Sequence, residues 1–126
     1  MSIKKLTPNL IVTDVKETVD FYHRVLGFEV KTFYPEWAHL AKDDCEIMFQ
    51  PAASLIKEFP ELSSSTMGGS LTLFFRLDDP AALFERVKDE ANIIRPLGVT
   101  SYNGATEFVV RDLNGYILHF SDVVLD

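Results

Sequence analysis

Few side chains in this 126-residue sequence have the chemistry of a reactive site. There are three histidines, His23, His39 and His119, and one cysteine, Cys45. If Glu46 and His119 were apposed across a pocket they could act as an acid–base couple, worth about 10²–10⁴-fold in a rate. His23 lies beside Arg24 on a predicted helix and is expected to face solvent. Cys45 follows Asp43-Asp44 and precedes Glu46, so nearby negative charge disfavours its thiolate, and it reads as a small core residue. As the sole cysteine it can form no intrachain disulfide, which fits a reducing, cytoplasmic location. Gly68-Gly69 and Gly104 do not build a phosphate loop, and Ser63, Ser64 and Ser65 lack the setting of a nucleophile elbow.

Composition narrows the partners. Nineteen acids against twelve bases leave a formal charge of −7, with both signs scattered along the chain. No basic patch is visible, so nucleic acid is a poor partner, while a mild negative field favours cationic ligands. The 47% hydrophobic content is too high for a solvated coil. No run reaches the roughly 18 apolar residues that a membrane span needs. Lys4 and Lys5 precede too short an apolar stretch, broken by Pro8 and Asp14, for a signal peptide to be expected.

The elements that must position these groups come in two similar sets. Leu10-Ile11-Val12 reads as a buried strand. Asp14 is a good N-cap with Glu17 three residues on, and Val15, Val19, Tyr22 and Leu26 follow at helical spacing until Gly27. Strands are predicted over 28–34, 37–42 and 45–50. Residues 51–69, with Pro51, Pro60, the serines and Gly68-Gly69, read as a connection, with one helical turn near 54–59. The order then recurs: a strand over 71–77, a helix capped by Asp79 with Pro80 first, a weaker strand near 93–97, and strong strands over 106–111 and 116–123. The expectation is an α+β fold of two tandem βαβββ modules, 1–50 and 70–126, within one domain spanning 1–126.

Strand alternation separates an almost wholly apolar face, expected to pack on the helices, from a mixed one. The mixed face is expected to form a partly apolar pocket with polar anchors. Its apolar lining would be Trp37, Met48, Phe74, Tyr102 and Phe108. Its polar contacts would be Asn9, His39, Glu46, Gln50 and His119. The same aromatics could instead pack between modules or at an interface between chains.

NLIVTDVKETVDFYHRVLGFEV at 9–30 and TEFVVRDLNGYILHFSD at 106–122 resemble the vicinal oxygen chelate superfamily. That superfamily includes glyoxalase I, fosfomycin-resistance proteins, extradiol dioxygenases and bleomycin-resistance proteins, and the resemblance covers nearly the whole chain. It implies paired modules forming a curled mixed sheet around a cavity, helices on the outer face, and usually a homodimer. Metal-dependent members carry ligands at four strand positions, which fall here on Thr7, Glu46, Thr72 and His119. Histidine is expected at the first and third, and threonine hydroxyls are poor ligands for a divalent transition metal. His39 with Glu46 and His119 would offer two imidazoles and a carboxylate, the alternative set for a divalent-metal-dependent glyoxalase-type lyase or isomerase. These departures resemble the bleomycin-resistance branch, as do Pro8, RDLNGYILHF and the aromatic groove. The implied activity is metal-free sequestration of a small molecule, cationic and aromatic, with no cofactor and no catalysis.

Overall fold

The computed structural model describes residues 1–101 and 103–125. The chain divides into two compact units, Met1–Ser65 and Thr66–Asp126. Each builds its own four-stranded mixed sheet.

The first unit runs β1 (Asn9–Val12), α1 (Val15–Asp20), β2 (Glu29–Tyr34), β3 (Trp37–Lys42), β4 (Cys45–Pro51) and α2 (Ala52–Glu58). Asp14 starts α1 by accepting a 2.9 Å hydrogen bond from the Glu17 amide. Beyond Asp20 the helix widens into a π turn over Phe21–Val25, where the spacing predicts α-helix to Leu26. The wider turn still buries Tyr22, Val25 and Leu26. Gly27 ends the helix at φ 82°, a left-handed position that glycine adopts without steric cost. Strand order is β1-β4-β3-β2, with β1 parallel to β4 and the other pairs antiparallel.

That register fixes the faces. Leu10 and Ala38 both pair with Phe49, and Leu40 pairs with Ile47. All five are buried, and the Phe49 ring lies 4.9 Å from that of Tyr22 on the π turn. This is the helix-facing side. Residues 51–58 do more than connect: α2 packs on β4 and β1 and buries Leu55. A single apolar anchor of that kind leaves no periodic stripe in the sequence.

The second unit repeats the scheme as β5 (Thr72–Arg76), α3 (Pro80–Val87), β6 (Asn92–Val99), β7 (Thr106–Arg111) and β8 (Ile117–Ser121), in the order β5-β8-β7-β6. Asp79 caps α3 through the Ala82 amide at 3.1 Å. Asp112 shapes the β7–β8 turn, its Oδ1 accepting 2.9 Å bonds from the amides of Asn114 and Tyr116. Among the described residues, no helix is long and apolar enough to cross a membrane.

Candidate functional site

In the first unit, the sheet face turned away from α1 carries Asn9, Trp37, His39, Glu46, Met48 and Gln50, all half-buried. Six residues expected on the binding face therefore share one face. Asn9 and His39 flank Met48 in the register. Asn9 Nδ2 donates to Gln50 Oε1 at 2.6 Å, and Gln50 Nε2 donates to Ser54 Oγ at 3.0 Å. These bonds tie β1 and β4 to the first turn of α2 and use both ends of the Gln50 amide, while the buried Asn9 Oδ1 is left without a hydrogen-bond partner.

His39 and Glu46 form a diagonal across β3 and β4, with Nε2 of His39 2.6 Å from Oε1 of Glu46. The indole of Trp37 stacks on the His39 ring, with centroids 6.3 Å apart and planes 20° from parallel. The second carboxylate oxygen is taken as well: Lys5, in the segment before β1, ion-pairs with Glu46 Oε2. The Lys5 ammonium, and then the hydrogen bond from His39, hold the Glu46 carboxyl below its ordinary range. The same carboxylate raises the Lys5 ammonium. Glu46 is thus held ionised, with a cation already beside it. Lys5 is not legible as a site residue, because it stands four residues before the first strand with no apolar pattern around it.

Two expectations about single side chains are corrected, one in each unit. Phe108 does not line a binding face. It pairs with Phe120, is fully buried, and belongs to the core. Its ring stacks on Phe120 at 4.9 Å and meets Phe84 of α3 edge-on at 5.3 Å. The sequence assigns β7 the wrong phase because Glu107, Phe108, Val109 and Val110 are all buried, so its burial does not alternate. The signal that marks the phase is the pair of charges at Glu107 and Arg111, which share the opposite face. Cys45, expected in the core, is exposed, and its thiol is pushed up by partial burial and by Asp43 and Asp44.

His119 does lie on the face turned away from α3, paired with Phe74 and Val109. The exposed Phe74 ring meets the His119 ring edge-on at 4.7 Å. Nε2 of His119 stands 2.9 Å from Oε2 of Glu107, a close polar contact without hydrogen-bond geometry. Glu107 is almost fully buried, and its other oxygen accepts a 3.3 Å bond from Arg95. Glu107 and Arg95 therefore join His119 as candidate site residues that no motif in the sequence marks. A cleft of about 390 Å³ lies beside them, lined by residues 95–101 and Glu107. Tyr102, expected to stack on a ligand, lies outside the described residues. Thr7 is half-buried and Thr72 exposed. Among the described residues, no three His, Cys, Asp or Glu side chains gather as a metal site would require.

Residues 3–120 match the family described as the Glyoxalase/Bleomycin resistance protein/Dioxygenase superfamily. No match was found among curated proteins. Solved structures resemble the chain over nearly its whole length. A protein of unknown function from Agrobacterium tumefaciens str. C58 is 19% identical, with 98% of this chain and 97% of that one covered and a TM-score of 0.82. A glyoxalase-related enzyme from Fulvimarina pelagi is 18% identical, with 94% and 88% covered and a TM-score of 0.77. The bleomycin-binding protein of Streptomyces verticillus, complexed with copper(II)-bleomycin, is 21% identical, with 98% and 99% covered and a TM-score of 0.70. Likeness at these identities establishes the fold.

Proposed function

The chain belongs to the glyoxalase/bleomycin resistance protein/dioxygenase superfamily, and on that premise we propose that it is a metal-free binding protein that sequesters a cationic, aromatic small molecule. The observation that carries this reading is the Trp37–His39–Glu46 cluster on the half-buried face of the first sheet. It joins an ionised carboxylate to a broad aromatic surface. A planar ring can stack on Trp37 while a positive group approaches Glu46, and the ring face adds its own attraction for a cation. Met48 supplies adaptable apolar surface beside them. In the second unit, Phe74 and His119 offer a similar pairing of a ring with a polar tip.

The donor sets favour binding over metal chemistry. His39 and Glu46 have the Lys5 ammonium beside them, and His119 and Glu107 have the Arg95 guanidinium. Among the described residues each pair offers two donors of the kind a metal takes, fewer than the three or four that a divalent transition metal binds. The hydroxyls of Thr7 and Thr72 are poor substitutes for imidazole. The bleomycin-binding protein among the structural relatives is a precedent for this fold holding a small molecule.

The test uses two probes of nearly equal shape, 2-phenylethylammonium and the neutral 2-phenylethanol. Binding is followed by the fluorescence of Trp37, the single tryptophan of the chain. Glu46→Ala is expected to weaken the ammonium about tenfold, the scale of a hydrogen bond to a charged group, and to leave the alcohol nearly unchanged. Equal loss of both would remove the electrostatic role of Glu46. A metal measurement completes the test: the protein is incubated with nickel, zinc, manganese and ferrous iron, desalted, and its metal content measured. Negligible metal is expected. One ion per chain, lost in His119→Ala, would overturn the reading in favour of a metal-dependent enzyme.

A further inference from the structure

We propose that Lys5 is a displaceable internal occupant of the cation position, so that a ligand binds by exchanging its own ammonium for that of the protein. The inference rests on the binding reading above and adds a control element to it.

Three observations carry it. First, the two partners of the ion pair differ in burial. The Glu46 side chain is 15% exposed, whereas that of Lys5 is 65% exposed. The anchor is fixed in the sheet while the cation reaches it from outside. Second, Lys5 belongs to a segment with no helix or strand, and residues 1–6 are all exposed. Its tie to the sheet is the 2.8 Å bond from the Met48 amide to the Pro8 carbonyl, three residues beyond Lys5. The segment can therefore swing away at Pro8 without uncovering core. Third, the half-buried Glu46 carboxylate keeps His39 beside it once Lys5 leaves, so a replacing cation restores only the modest attraction of a surface pair. An ammonium ligand replaces Lys5 charge for charge. A neutral ligand cannot, so it leaves Lys5 in place and must bind around it.

The consequence is a built-in filter. The pair holds the site closed for most of the time, and the apparent affinity of a cationic ligand falls by the fraction of time the site is open. A solvent-exposed lysine–carboxylate pair is a weak one, so the filter is shallow. On that scale, Lys5→Gln is expected to tighten 2-phenylethylammonium by about three- to sixfold.

The experiment titrates the full chain, wild type, Lys5→Gln and Lys4→Gln, with both probes at constant ionic strength. Lys4 is also exposed and one residue away, so its variant reports the effect of removing a positive charge without vacating Glu46. The expected result is tighter ammonium binding in Lys5→Gln, little change in Lys4→Gln, and no change for 2-phenylethanol in either. Equal tightening in both variants would reduce the effect to net charge and overturn the proposal. Unchanged or weaker ammonium binding in Lys5→Gln would also overturn it, and if Glu46→Ala still lost ammonium selectively the binding reading would survive. No saturable binding of either probe to wild type or Lys5→Gln would overturn both together.

Discussion

Phe108→Ala is expected to destabilise the protein by about 3–5 kcal/mol, the range for removing a large aromatic from a packed core. Phe108 is fully buried. Its ring lies parallel to that of Phe120, within 22°, and edge-on to Phe84. Those two contacts join β7 to β8 and to α3, the layers of the second unit. Alanine would leave a void bounded by two phenyl rings anchored on different elements, which cannot both move in to fill it. At the per-residue entropies of small domains, a loss of this size corresponds to a drop in Tm of roughly 10–20 °C, measurable by thermal or urea denaturation. Phe108→Leu keeps most of the volume and is the informative companion. It is expected to leave 2-phenylethylammonium binding unchanged. A large change in probe affinity with an unaltered Tm would return Phe108 to the binding face.

Gly68→Ala is expected to cost about 2–4 kcal/mol, from two sources of similar size. Gly68 sits at φ 79°, where an L side chain is strained. A Cβ there would also fall 2.5 Å from the carbonyl carbon and oxygen of Gly115, which are backbone atoms. Gly115 closes the β7–β8 turn that Asp112 holds, so the turn would have to shift to make room. Gly104 provides the comparison. It has φ 72° but nothing within 4 Å of its ideal Cβ, so Gly104→Ala is expected to lose only the conformational share, about 1–2 kcal/mol. Equal midpoints for the two variants in urea would show that the approach to Gly115 is not what makes Gly68 necessary.

The first unit was more legible than the second for a physical reason. Its strands β3 and β4 alternate cleanly, with Ala38, Leu40, Ile47 and Phe49 inward and Trp37, His39, Glu46 and Met48 outward. One glance at polarity sets the phase. In β7 the outward-facing Glu107 and Val109 are buried along with Phe108 and Val110, so polarity no longer reports which way a side chain points. The cost was Phe108, assigned to a binding face it does not reach, and Glu107, overlooked beside His119. The segment 51–58 is legible as a break in the pattern with one helical turn, but not as a helix packed on its own sheet, because Leu55 is its one buried residue.

The sequence by itself determined where elements begin and end, because those signals are local. Asp14 and Asp79 cap helices through amides three residues on, and Gly27 and Gly115 occupy positive φ where the chain must turn. It also determined the repeat of the βαβββ order and the family. Only the tertiary structure decided which polar groups meet. Asn9 reaches Gln50 across 41 residues, and Lys5 reaches Glu46, because β1 pairs in parallel with β4 in one register. Glu107 is flanked by Arg95 and His119 because β7 lies between β6 and β8. Such meetings depend on strand order and register, which are set by the packing of each unit's whole core. No short stretch of sequence contains that information.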